Sequence, residues 1–127
     1  MMRGVSRSRF LVATFLAMAW QPTVPSTAGD LNVGKMKYQS YCFSCHGSSG
    51  KGDGPAALNL TPKPRDLSNG SFMETLSDPY IVNVIKGGGT AVNKSPLMPA
   101  WGNVLSDKEI RDVIAYLRSL ARKKRES

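Results

Sequence analysis

The clearest hydrophobic pattern lies near the end of the chain, where Ile110, Val113, Ile114, Leu117 and Leu120 recur at helical spacing. Ser106 and Glu109, with Asp107 and Lys108 between them, form a capping box ahead of that run, and Leu105 can staple to Ile110. A second helix is expected where Tyr80, Ile81, Val84 and Ile85 share a face. Asp78 followed by Pro79 gives it a capping side chain and then proline at the first helical position, and Gly87 to Gly89 stops it. A first helix passes through Met36, Tyr38 and Tyr41 towards Cys42, with Asn32 as its expected cap and Lys35 and Lys37 facing water. From Gly47 to Gly70 the chain is rich in Gly, Pro, Ser and Asn, and only Ala56 to Leu60 suggests a short helical turn. Another loop, Thr90 to Asn103, is punctuated by Pro96 and Pro99. Nothing alternates with period two for long enough to make a sheet, and no repeat is present. The pattern predicts an all-α protein of a few short helices and long loops. Loops of that length need something to wrap, which the sequence itself does not supply.

The first 28 residues read differently from the rest. Arg3, Arg7 and Arg9 make a positive start, Phe10 to Trp20 is uncharged and mostly apolar, and Pro22 and Pro25 precede the small residues Ser26, Thr27 and Ala28. This is the build of an export signal, with cleavage expected after Ala28. The apolar run is well short of the ~20 residues of a spanning helix, so a retained anchor is the weaker alternative. No cysteine near the cleavage site can accept a lipid, and no second apolar stretch is long enough to span a bilayer. The expected product is residues 29–127, one periplasmic domain ending in a basic tail at 121–127. A domain of that size has a marginal core, which a large buried cofactor would strengthen.

The chain carries 17 Lys and Arg against 9 Asp and Glu, and loss of the three signal arginines lowers its net charge from +8 to +5. That suits docking on an acidic protein and also serves solubility. Arg122, Lys123, Lys124 and Arg125 are read as solvated: four charges at a terminus make no shaped surface for nucleic acid.

The two cysteines and the single histidine stand together as Cys42-Phe43-Ser44-Cys45-His46. C-x-x-C-H is the pattern of covalent c-type haem attachment. Two thiols three residues apart reach the two vinyl groups on one side of the porphyrin, and the adjacent histidine is brought under the iron. Rival readings are weaker. A structural zinc site needs four ligands, and the chain has no other Cys or His. A thioredoxin-type dithiol belongs in a strand-helix-strand setting, and a plain disulfide would leave the long loops without a core.

With one histidine, a bis-His iron is excluded within the chain, leaving Met, Lys, water or nothing as sixth ligand. Met36 lies too near the cysteines to reach the opposite haem face, and Met73 reads as packing. Met98, in Pro96-Leu97-Met98-Pro99-Ala100-Trp101-Gly102, is held out of any helix because the following proline favours extended backbone before it. Met98 is therefore the expected ligand.

These residues resemble the class I cytochrome c family, especially short monohaem domains similar to the haem c modules of cbb3-type oxidases. The likeness covers Leu31 to Leu120. It is strongest at Tyr41 through His46, Gly47 through Pro55, Pro62 through Leu67, Met98 through Trp101, and Val113 through Leu117. It implies the class I fold, about four short helices and long loops wrapped around one covalently bound haem c. It further implies that Gly34 and Tyr38 pack against Val113 and Tyr116. A loop carbonyl, expected in the Gly54-Pro55 region, should accept a hydrogen bond from the second ring nitrogen of His46. Arg65 and Trp101 become candidate partners for the haem propionates, against surface or core roles.

The function implied is single-electron transfer, not catalysis: His46 and Met98 together leave no open position for a substrate. Lys51, Lys63, Lys86 and Lys94 are candidates for steering an acidic redox partner. A soluble shuttle is the leading form of this function and a dedicated subunit of an oxidoreductase is the alternative. A haem sensor or peroxidase would require Met98 to be absent from the iron.

Overall fold

The structure, a computed structural model, describes residues 28–126. The expected export signal, residues 1–28, falls outside the described residues except for Ala28. Five helices follow in order: α1 (Leu31–Tyr41), α2 (Phe43–His46), α3 (Gly70–Glu74), α4 (Asp78–Gly87) and α5 (Asp107–Glu126). Short 3₁₀ turns occupy Pro55–Asn59 and Gly89–Val92, and no strand occurs among the described residues. The all-α expectation is met, and the turn expected over Ala56 to Leu60 is found one residue earlier.

The core forms where α1 crosses α5. Tyr38, Ile110, Val113, Ile114 and Leu117 are buried there, joined by Met73, Ile81, Ile85 and Leu105 from the rest of the chain. Gly34 lets the two helices touch: a Cβ on it would overlap the backbone carbonyl of Asp112. One turn on, Tyr38 meets Tyr116 with ring centroids 5.3 Å apart and planes tilted by 58°, an edge-inclined contact that aromatic quadrupoles favour. The expected meeting of Gly34 and Tyr38 with Tyr116 is present. The residue directly over Gly34 is Asp112, while Val113 faces the shared core.

Asp112 is 1% exposed, and its carboxylate is fully used. One oxygen accepts the Asp30 N–H at 2.8 Å, and the other accepts from Lys108 at 2.8 Å. Burial raises its pKa, but these two bonds prevail and hold the carboxyl below its usual range. With its backbone held in this way, Asp30 caps α1 by accepting from the N–H groups of Asn32 and Val33 at 2.8 and 3.1 Å. The cap is thus Asp30, not Asn32 as expected. Likewise α4 is capped by Ser77, placing Asp78 and Pro79 inside its first turn.

The capping box of α5 forms as expected: the Ser106 N–H donates to Glu109 at 2.8 Å and the Glu109 N–H donates to Ser106 Oγ at 3.3 Å. Glu109 also pairs with Lys37 of α1 at 2.6 Å, so Lys37 is not simply solvated. Within α5, Arg118 donates to the Met73 and Leu76 carbonyls and to Asp78, fastening α3 and the start of α4. The expected tail does not begin at 121. The helix runs on to Glu126, and Ala121 is buried in the core.

Lys37 and the two bonds from Ser106 hold the Glu109 carboxyl down at about 2. A depressed pKa adds stability that is present above the usual 4.5 and is lost as pH falls through about 2. Acid unfolding followed by circular dichroism should therefore show wild type losing more stability across that window than Glu109→Gln.

Candidate functional site

α1 delivers the cysteine motif directly. The Cys42 N–H still bonds the Tyr38 carbonyl at 2.8 Å, and α2 starts at the next residue. The His46 N–H returns to the Cys42 carbonyl at 2.9 Å, so both thiols and the imidazole lie on one continuous turn. Gly47 then reverses the chain at φ 77°, ψ 166°, a conformation essentially confined to glycine.

A web of backbone bonds folds the following loop beneath the motif. The Gly47 carbonyl accepts from the buried Tyr38 hydroxyl at 2.7 Å and from the Gly50 N–H at 3.2 Å. The His46 carbonyl accepts from Gly52, and the Cys45 carbonyl from Gly54. The Gly50 carbonyl accepts the Leu67 N–H at 2.6 Å. Gly52 lies so close to Pro64 that a Cβ would overlap its carbonyl. The Pro64–Leu67 segment is thereby drawn across, and the Arg65 carbonyl comes within 3.2 Å of His46 Nδ1.

That carbonyl is the histidine's partner, in place of the expected Gly54-Pro55 region. Pro55 is exposed and opens a 3₁₀ turn, where the Gly54 carbonyl is taken by the Ala57 N–H. Because a carbonyl only accepts, the proton sits on Nδ1 and the lone pair on Nε2. Burial lowers the His46 pKa, against the Arg65 bond that raises it, and the net shift favours the neutral ring a metal ligand requires.

The thiols are half-buried and not joined to each other. Burial, aided by neighbouring Cys45, pushes the Cys42 thiol up to about 12. That is the reverse of the lowered pKa of a dithiol redox catalyst. Among the described residues no three His, Cys, Asp or Glu side chains are grouped to hold a metal ion. The donor set therefore fits haem attachment, with two unpaired thiols and one oriented neutral imidazole, better than zinc or disulfide chemistry.

Met98 is half-buried, in a strap running over the end of α4. Its carbonyl accepts the Gly89 N–H at 3.0 Å. Met73 is 1% exposed and packs in the core as expected, and Met36 is 59% exposed on α1. The Trp101 ring meets Tyr41 at 5.2 Å, next to Cys42. Arg65 is exposed, its guanidinium stacked over Phe72 at 4.7 Å, so its backbone serves the histidine while its side chain faces outward. Of the four lysines proposed for steering, Lys63 is engaged with the Ala57 and Leu58 carbonyls and Lys86 with Asp107. Lys51 and Lys94 are exposed.

Residues 29–117 match the family model described as cytochrome c oxidase, cbb3-type, subunit III. The chain is 34% identical over 92 residues to cytochrome c-554(548) of Halomonas halodenitrificans, spanning 72% of this chain and 98% of that protein. It is 26% identical over 105 residues to the cbb3-type cytochrome c oxidase subunit FixPc of Rhizobium leguminosarum bv. viciae. That match spans 82% of this chain but only 33% of FixPc. The fold is that of the KustC0563 c-type cytochrome, with a TM-score of 0.54 at 22% identity, over 68% of this chain and 95% of that one.

The chain belongs to this haem c family and is a monohaem class I c-type cytochrome. It carries electrons on a covalently bound haem c and is an electron carrier rather than an enzyme. No helix of the described residues is long and apolar enough to cross a membrane.

Burial holds the Tyr38 phenol well above its usual pKa, so it remains a donor to Gly47. Tyr38→Phe keeps the ring and removes that one bond. Denaturant unfolding of the holoprotein should show a loss of about 1 kcal/mol, with faster amide exchange at Gly50, which shares the same carbonyl.

Proposed function

We propose that Cys42 and Cys45 form the two haem thioethers, that His46 Nε2 is the proximal iron ligand, and that Met98 is the distal one. The observation that carries this reading is the hydrogen bond from His46 Nδ1 to the Arg65 carbonyl at 3.2 Å. It fixes the tautomer, aims the ring and leaves the other nitrogen as a donor beside two free thiols. Bound haem supplies one-electron Fe(II)/Fe(III) exchange.

The chain's own residues set the terms of that exchange. The cysteines prevent loss of the cofactor. The Arg65 carbonyl orients His46, and burial keeps its ring neutral. Met98 offers an uncharged soft sulfur, which favours the lower iron charge and raises the potential. His46 and Met98 would together hold a bound haem iron and would leave it no open position for a substrate.

The setting we propose is the periplasm, reached through cleavage after Ala28, where the domain of residues 29–127 shuttles electrons between redox proteins. The match to 98% of cytochrome c-554(548) supports a free carrier, since a chain of this span is that whole protein. FixPc, three times as long as the matched part, exemplifies the alternative of a module within an oxidase subunit. Exposed Lys51 and Lys94, with the net positive charge, suit an acidic docking surface.

The purified mature protein should retain its haem in acidified organic solvent. Cys42→Ala combined with Cys45→Ala should yield no covalently bound haem, and normal holoprotein from that double variant would remove the motif from the site. Met98→Ala should lose the weak sulfur–iron charge-transfer absorption of the ferric protein. Its reduction potential should fall by on the order of 100 mV, a modest part of the range that axial ligands span. Ferrous Met98→Ala should bind carbon monoxide readily while Met73→Ala does not. If wild type already binds carbon monoxide as fast as Met98→Ala, the distal position is open and the carrier reading gives way to a sensor or peroxidase.

A further inference from the structure

The strap from Ser95 to Gly102 is fastened to the C-terminal end of α4 largely through backbone atoms. The N–H groups of Trp101 and Gly102 donate to the Ile85 and Lys86 carbonyls at 2.8 and 3.1 Å. These are carbonyls that the last turn of a helix leaves without an intrahelical partner. In the other direction, Gly89 donates its N–H to the Met98 carbonyl at 3.0 Å, while its own carbonyl accepts from Lys94 at 2.8 Å. The strap is thus held at Met98 itself and again three residues later.

Two glycines make this approach possible. Gly88 has φ 73° and ψ −175°, a region essentially closed to other residues. A Cβ there would stand 2.7 Å from the Met98 carbonyl oxygen and 3.0 Å from the Ala100 nitrogen. A Cβ on Gly89 would overlap the Ser95 carbonyl. Neither position tolerates even a methyl group without moving the segment that carries Met98. The platform is rigid on its other side, because Ile81 and Ile85 anchor α4 in the core.

The geometry points to Gly88 and Gly89 as positioning residues that hold Met98 in reach of the iron and govern how often the distal position opens. This inference rests on Met98 being the distal ligand. A Met98 that leaves the iron by moving its backbone must first give up the Gly89 bond. Gly88 and Gly89 therefore restrict the access of small ligands, although neither touches the cofactor in this assignment.

The test uses the purified mature holoprotein, with Gly88→Ala, Gly89→Ala, Met98→Ala and Ser106→Ala compared to wild type. Ser106→Ala removes the side-chain cap of α5, four residues after the strap but outside its hydrogen bonds to α4, and so destabilises the fold without altering those bonds. Both glycine variants are expected to lose much of the sulfur–iron charge-transfer absorption and to bind carbon monoxide faster by about tenfold or more, the scale set by overpacking a tight contact. Ser106→Ala should keep the wild-type spectrum and rate. Glycine variants with wild-type absorption and carbon monoxide rates overturn the inference.

Should those variants fail to fold, amide exchange at Gly89 in wild-type holoprotein decides the matter. The amide should be protected in the ferrous protein and released when saturating carbon monoxide displaces Met98. Equal protection in both states overturns the inference. A Met98→Ala variant that keeps the absorption and rate of wild type shows instead that Met98 is not the ligand, and the assignment and the inference fall together.

Discussion

At Gly34 the backbone of α1 lies against the backbone of α5, with no side chain between them, and the position of the haem-attachment motif is inherited from that contact. One turn beyond it Tyr38 is buried against Tyr116, and one turn further the helix ends at the cysteines. The hydroxyl of Tyr38 reaches on to Gly47 and so sets the loop that follows His46. From Gly34 to the imidazole the chain is a single connected lever. A shift of α1 on α5 would be transmitted to the histidine with little to absorb it.

Charge plays a different part from the one its total suggests. Lys37, Lys63, Lys86, Lys108 and Arg118 all have partners within the molecule. Most of those pairs are exposed and individually contribute little to stability. The buried Asp112 differs, because removing its partners would leave a charge in the α1–α5 seam. The positive excess is therefore carried by fewer freely solvated side chains than a count along the chain implies.

How much of this was legible beforehand followed the range of the interaction involved. The haem c family could be read because the C-x-x-C-H pattern sets residue types at fixed spacing, and the Ser106–Glu109 box because its partners are three residues apart. Caps were off by a residue or two where neighbouring polar side chains compete. Asp30 wins over Asn32 because Asp112, far along the chain, holds its N–H. The acceptor for His46 was misplaced since a backbone carbonyl carries no residue type. The available hint was the close spacing of Gly50 and Gly52, where Leu67 and Pro64 come alongside. Asp112 is a charged residue outside the apolar run of α5, so its type gives no sign of burial, and the crossing of α1 at Gly34 is what covers it.

α3 escaped notice for a reason that bears on how the molecule assembles. Asn69 caps it, yet its five residues cannot show a helical period, and so short a helix has no stability of its own in water. Its Met73 carbonyl and that of nearby Leu76 are met by Arg118, more than forty positions later in the chain. During synthesis from the N-terminus, this segment emerges well before the side chain that completes it. The region beside Met73 therefore lacks the donor for two of its carbonyls until the last helix is in place, and loses it again if α5 detaches.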